Sequence, residues 1–459
     1  MAVLAVLNFI GNVGQDIDFV RDLTYWLSIS GRSKIFLEGM ICSRDIIYFL
    51  LVICMFLAFA FIKLQGERLK KSILKTSGSY LVVSAFILIG YVSSRPMMIV
   101  YYDATATKLN TLTENSQDIV GKIDGGLTLT TYVNLLDDTW YNGSPSAKNF
   151  DMERFERYVR FKPDMKIDYV YYYGPGTNAH NDKVYKGLSP KERMLKVCEG
   201  YDYDPDMFIS AEKVQKMEDI SAENGRIVRV FKRDNGQKAY LRIYNDIYVH
   251  PFESEITAAL KTLVAKSPLI AFVTGHGERA CGDYGDRGYA AFAINPTFRN
   301  ALINQGFQVR DLTLTQPVPA DVDVLVISDM KTSLTLEEFA NYSSFVDNGG
   351  NLIVLGEVKR QEHMNPVVEK LGLRFSDGIL VAPSRQYLDD VIAARITEGA
   401  LNASPYFAQL IRRGNTIITP SACAVEIIDT TKGFKISEVL ATNPQGSWIE
   451  YETTDFINE

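Results

Sequence analysis

PLIAFVTGHGE, residues 268–278, is the stretch on which the fold turns. Leu269 to Val273 is an unbroken apolar run of strand length, bounded by Pro268 and opening into Thr274-Gly275-His276-Gly277-Glu278. A run apolar on both faces suits a strand buried in a parallel sheet. Polar groups between glycines at the carboxyl end of such a strand stand where open α/β sheets place their ligand sites. Outward from there, the spacing predicts a helix around Asn295–Gln305 and a strand at Gly306-Phe307-Gln308-Val309. Val322–Ile327 is a second continuous apolar strand, and Leu336–Asp347 a helix stopped by Asn348-Gly349-Gly350. Asn351–Leu355 is a third buried strand, and Asn365–Leu371 a short helix. Strands alternating with helices at these lengths predict a doubly wound α/β sheet. The segment Gly414–Glu459 reads as strands (NTIITP, GSWIEYE) without a closing element, which points to a domain continuing past Glu459.

Toward the N-terminus the character changes. Ile46–Ile62 and Thr76–Ser94 are uncharged apolar runs, and with their flanks each approaches the roughly 20 residues of a membrane span. Between them, Lys63–Lys75 carries Lys63, Arg68, Lys70, Lys71 and Lys75 against Glu67 alone. Short basic loops stay in the cytoplasm, so everything after Pro96 is expected outside. Residues 1–43 lack the charged start and cleavage site of a signal peptide, and Tyr25 and Trp26 among leucines and isoleucines suit either a membrane interface or a surface helix.

Between span and sheet, Thr111–Ile123 reads as a helix capped by Thr113. LTLTTYVNLL alternates as a strand, Asn149–Phe161 has helical spacing, and Met165–Tyr173 is a half-buried strand despite its tyrosine run. Arg226–Asn245 is a hairpin with Asn235-Gly236 at its turn, and Ser254–Ala265 a helix.

A chain of 459 residues, 47% hydrophobic and 22% charged, buries real cores and fits about two to four domains. Its net charge of −7, without a basic stripe, argues against a nucleic-acid protein. Five scattered cysteines (Cys42, Cys54, Cys198, Cys281, Cys423) exclude a disulfide framework and a paired-cysteine zinc site. There is no GxxxxGK[ST] and no GxGxxG after a strand, so no nucleotide cofactor is expected and any energy comes from a partner.

Four chemistries compete for TGHGE. Cys281 as nucleophile with His276 as base and Glu278 orienting it would make a hydrolase, although His276, not the cysteine, occupies the elbow-like slot. His276, Glu278 and Asp283 or Asp286, with His250 or His363 arriving from elsewhere, would make a metal site. A tight turn with His276 bonded to a neighbouring loop is the plainest reading. A polar ligand or partner site of His276, Glu278, Arg279 and Lys331 is preferred over catalysis.

FESEITAALKTLVAKSPLIAFVTGHGE, NQGFQVRDLTL, VPADVDVLVISDMKTSLTLEEFANYSSFVDNGGNLIVL, NPVVEKLGLRF and SWIEYE together resemble the GldG-like auxiliary subunits of gliding-motility-type ABC transporters. The first span, CSRDIIYFLLVICMFLAF, resembles the closing helix of the ABC-2-type permease that accompanies them. The resemblance implies a non-enzymatic inner-membrane subunit working with a separate ATPase and a permease, its last domain similar to class I glutamine amidotransferases without their nucleophile. Asp329-Met330-Lys331 after VDVLVIS agrees. The chain then divides into a permease-like interface segment (1–43), spans at 44–64 and 76–100 around a basic loop (65–75), an extracytoplasmic α/β domain (101–265) and the amidotransferase-like domain (266–459). Arg68, Lys70 and Lys71 are expected to meet the ATPase or anionic membrane lipid, and the outer domains an envelope protein.

Overall fold

The computed structural model describes residues 36–68, 72–93, 95, 98–285 and 288–452. The chain separates into two compact units, Met1–Ala265 and Lys266–Glu459. The interface stretch expected before residue 36, the loop lysines Lys70 and Lys71, and Asp286 lie outside the described residues.

The first unit is mixed α/β. Strand β1 (Met40–Cys42) runs directly into helix α1 (Ser43–Arg68); helix α2 (Ser72–Ser93) follows, and strand β2 (Tyr101–Asp103) comes next. β1 and β2 pair antiparallel, Met40 opposite Asp103 and Cys42 opposite Tyr101. The Ser43 backbone N–H donates to the Val100 carbonyl at 2.9 Å, so the helix pair begins and finishes at the same end. Leu50, Ile53, Phe56, Leu57 and Phe61 of α1 are exposed, as are Leu81, Ile87 and Leu88 of α2. Over Ser43–Gln65, α1 is long and apolar enough to cross a membrane, and only 11% of its most apolar window is buried. The apolar part of α2, Ser77–Ser93, is shorter.

Strands β3 (Leu127–Asn134), β4 (Lys166–Tyr173), β5 (Ile209–Ser210), β6 (Val228–Arg233) and β7 (Lys238–Arg242) form a five-stranded sheet of order β5-β4-β3-β6-β7. β3 is parallel to β4 and antiparallel to β6. The β6–β7 hairpin turns at Asn235-Gly236 as expected, with Gly236 at φ 88°. Because successive side chains point to opposite faces, Leu127, Leu129 and Phe231 pack against helices α3 (Glu114–Gly121) and α4 (Glu253–Lys261). Tyr132, Tyr172, Val228 and Val230 pack with Val214 and Ile220 on the other side. Thr113 caps α3, its hydroxyl accepting from the Ser116 N–H. The helix expected over Asn149–Phe161 is broken into Lys148–Glu153 and Glu156–Phe161, and at the break Phe155 turns fully into the core.

The second unit is built on β8 (Leu269–Val273), β9 (Gln308–Leu312), β10 (Val324–Ser328) and β11 (Asn351–Leu355), all parallel, in the order β11-β10-β8-β9. Leu269, Ala271, Val273, Leu325 and Ile327 face helices α5 (Leu336–Asp347) and α6 (Gln361–Glu369) through Tyr342, Val346, Met364 and Val367. Ile270, Phe272 and Val326 pack on the other face with Cys281, Ala293 and Leu302. The helix expected around Asn295–Gln305 does not form; a short helix (Ala290–Ala293) and a single 3₁₀ turn (Leu302–Asn304) stand there. Asn295 Oδ1 takes the Thr297 N–H and hydroxyl, and Asn304 Nδ2 reaches the carbonyls of Asn295, Pro296 and Phe298. These side-chain bonds replace the helical ladder. Seven short strands, β12 (Leu373–Phe375), β13 (Ile379–Val381), β14 (Val391–Ile396), β15 (Thr416–Pro420), β16 (Val425–Ile427), β17 (Leu440–Ala441) and β18 (Trp448–Glu450), pair antiparallel in three small sheets.

Candidate functional site

The strand order makes β8 the turning point of the second unit. The chain goes from β8 outward to β9, then returns to β10 on the other side of β8. The carboxyl ends of β8 and β10 therefore flank a topological switch point, where open α/β sheets leave a crevice. TGHGE follows β8, Asp329-Met330-Lys331 follows β10, and Glu357 follows β11.

Gly275 (φ 125°) and Gly277 (φ 74°) give the backbone of the turn the conformations that L side chains rarely adopt. The turn presents the His276 ring between two carboxylates. Nδ1 lies 3.1 Å from Glu278 Oε1 and Nε2 3.2 Å from Glu338 Oε2. A neutral imidazole can donate to one of them and an imidazolium to both. Glu278 also accepts the His276 backbone N–H at 2.6 Å, and the Lys331 N–H donates to the His276 carbonyl at 2.8 Å. Glu338 belongs to a capping box at the start of α5. The Thr335 backbone N–H and hydroxyl, with His276 beyond them, hold its carboxyl below the ordinary glutamate range.

Arg279 binds two further strand ends, Nε to Asp329 Oδ2 at 3.1 Å and Nη2 to Glu357 Oε2 at 2.9 Å. Asp329 has a left-handed backbone, φ 59°, at the end of β10, and Arg360 approaches its other oxygen at 4.0 Å. The sequence-derived set His276, Glu278, Arg279 and Lys331 is thus brought together. Asp329, Glu338 and Glu357 complete it, and sequence reasoning missed them because they come from separate parts of the chain. The signal for Glu338 was present as Thr335-Leu-Glu-Glu338, a capping-box pattern.

Cys281 does not belong to this set. It is buried among Ile270, Phe272 and Ala293, and burial, with the Asp311 carboxylate beside it, pushes its thiol up to about 12. A thiol protonated through the neutral range is no ready nucleophile. Among the described residues no group of three or more His, Cys, Asp or Glu side chains is arranged to hold a metal ion. His363 lies 2.9 Å from the Ser333 hydroxyl, and His250 sits in the first unit against Arg229 and Asp151.

The comparison with protein families falls on this same edge. Residues 267–389 match ABC_transp_aux, an ABC-type uncharacterized transport system. The match bears out the expected likeness to an auxiliary ABC transport family over that segment, which contains the switch point and every residue of the His276 and Arg279 networks. Among solved structures, the mmIFT52 N-terminal domain is similar at 14% identity, with a TM-score of 0.29, over 39% of this chain and 75% of that one. No curated protein matches the sequence.

Proposed function

We propose that the chain is a membrane subunit of an ABC-type transport system, of the export or gliding-motility kind. In this reading its outer α/β units engage a ligand or partner while a separate ATPase supplies the energy. The observation that carries the proposal is the family match over residues 267–389. The apolar α1 supports membrane insertion. The β1–β2 pairing supports α1 and α2 as a two-pass hairpin, because it holds their outer ends side by side. The basic stretch 63–75 between them supports a cytoplasmic loop and an inner-membrane, two-pass topology with the bulk of the chain outside. On this reading Arg68, Lys70 and Lys71 meet the ATPase or anionic lipid, the permease packs against α1 and α2, and the doubly wound unit is amidotransferase-like in fold only. The edge formed by His276, Glu278, Arg279 and Lys331 is the proposed contact for the ligand or for an envelope partner.

The test is purification of the tagged full chain from its own membranes in mild detergent. A P-loop ATPase in near-stoichiometric amount, lost when Arg68, Lys70 and Lys71 are neutralised together, is the expected result. Recovery of envelope proteins without an ATPase would replace the transport reading with that of an envelope scaffold.

A further inference from the structure

The β1–β2 ribbon at the end of the helix pair has two unlike faces. Directly opposite residues of the pair share a face, and successive residues alternate between faces. Met40, Cys42 and Asp103 are buried, and Tyr101 is half-buried with the Arg160 guanidinium 5.0 Å from its ring. This inner face is turned toward the helix Glu156–Phe161, which carries Arg160. Ile41 and Tyr102 stand opposite each other on the outer face.

The pairing runs on past β2. The Val100 N–H donates to Ser43 Oγ at 2.9 Å, and the Val100 carbonyl takes the Ser43 N–H at 2.9 Å. Two residues before Tyr102, Val100 therefore shares the outer face. That face is apolar and open: Val100 is 69% and Tyr102 61% exposed. Leu37, Met98 and Leu109, on the segments flanking the ribbon, are exposed as well. Contiguous exposed apolar side chains mark a surface that something covers.

What covers it follows from its place in the chain. Ser43, the residue after β1, opens α1, and the apolar flank of α1 is exposed along Leu50, Ile53 and Leu57. The apolar stretch Ser43–Gln65 has 23 residues. At 1.5 Å per residue it is about 34 Å long, slightly more than the roughly 30 Å of a bilayer's hydrocarbon core. A bilayer that holds α1 therefore has its boundary at the ribbon. The cations there fit a boundary: Arg95 lies over the Tyr91 ring at 3.7 Å and Lys108 over the Tyr102 ring at 5.0 Å. Tyrosine rings with a snorkelling cation beside them are the side chains of the headgroup layer.

We infer that the outer face of the β1–β2 ribbon lies on the phospholipid surface at that end of α1. Val100 and Tyr102 sit among the headgroups and the first chain methylenes, with Arg95 and Lys108 at the level of the phosphates. The ribbon is then a second, non-helical contact between the first unit and the membrane. The inference rests on the reading of α1 as a membrane span, and it needs neither an ATPase nor a permease.

The experiment places the full chain in nanodiscs of phosphatidylcholine and phosphatidylglycerol, with Cys54→Ala and Cys423→Ala, since the other three cysteines are buried. A single new cysteine is labelled with the fluorophore NBD, and part of the phosphatidylcholine carries a nitroxide near its glycerol. Side chains of an interfacial segment enter the headgroup boundary by about 5–10 Å, so NBD at Val100→Cys should lose about half its emission to the nitroxide. Leu109→Cys repeats the measurement without altering the ribbon. Met217→Cys should lose nothing: it is exposed on the helix Ala211–Met217, which packs through Val214 on the opposite face of the sheet. Phe56→Cys, exposed midway along α1, tests the span itself with the nitroxide moved to the chain middle. Quenching at Phe56 with none at Val100 and Leu109 would overturn the ribbon's contact and leave the span standing. Blue-shifted but unquenched emission at Val100 would put protein on that face, and would overturn the inference too. No quenching at Phe56 would remove the span and the inference together.

Discussion

Two ionic clusters among the described residues are built from the same residue types and pair their charges differently. At the carboxyl edge of the second unit, charges are distributed: His276 lies between Glu278 and Glu338, and Arg279 between Asp329 and Glu357. In the first unit a single aspartate stands against Arg229, Arg154 and His250. The first arrangement ties three strand ends together from within. In the second, Nε and Nη1 of the buried Arg229 have no hydrogen-bond partner among the described residues. A dense group of charged side chains is therefore not in itself a ligand site.

The largest expected effect tests that difference. Asp151→Asn removes the one counter-charge from a fully buried guanidinium and should cost about 3–5 kcal/mol, the usual penalty for stranding a buried charge. The check is urea unfolding of the full chain followed through Trp140, in a background with Trp26 and Trp448 replaced by Phe. A loss below about 1 kcal/mol would mean that Asp151 is not the counter-charge Arg229 depends on, and the contrast would fail. Removing a member of the distributed network should cost less. His276→Ala leaves Glu278 its backbone N–H and Glu338 its Thr335 bonds, so about 1–2 kcal/mol is expected, read through Trp448 in the second unit. A loss equal to that of Asp151→Asn would erase the distinction.

The smallest effect is one of pH. The Glu338 carboxyl is held below its ordinary value in the folded chain. A depressed carboxylate contributes stability that is present above its unfolded pKa of about 4.5 and is lost as pH falls through the lower folded value. Wild-type stability should therefore decline below about pH 4.5 more steeply than that of Glu338→Gln, by less than ~1 kcal/mol between pH 5 and 3. Parallel acid limbs in the two proteins would remove Glu338 from the network.

How much of this was legible depended on the range of the interactions. Leu336–Asp347 and Asn351–Leu355 were readable to the residue, because apolar spacing and Asn348-Gly349-Gly350 act locally. The strand order β11-β10-β8-β9 was not, since pairing is settled by packing between residues far apart in sequence. The expected helix at 295–305 failed on Asn295 and Asn304, whose amide groups competed with the backbone. Of the edge cluster, His276 and Glu278 stood out beside their glycines, while Glu357 lay in an ordinary loop. Arg229 was visible only as one basic residue among Val228, Val230 and Phe231. In a strand buried on both faces the period-two alternation disappears, and with it the cue that such an arginine points inward.

The β1–β2 clasp has a mechanical corollary. Three residue pairs, Met40 to Cys42 against Asp103 to Tyr101, lock the arriving and departing strands of the helix pair. The Asn110 amide, which donates to the Glu38 carbonyl at 2.6 Å, and Arg160, which donates to the Asn110 carbonyl at 2.9 Å, fasten the clasp to the body of the unit. Sliding α2 along α1 would have to shear this ladder, whereas tilting or turning the pair together leaves it whole. At that end the two helices are coupled as one shaft, and a displacement applied at their far ends arrives at the sheet as a rotation shared by both.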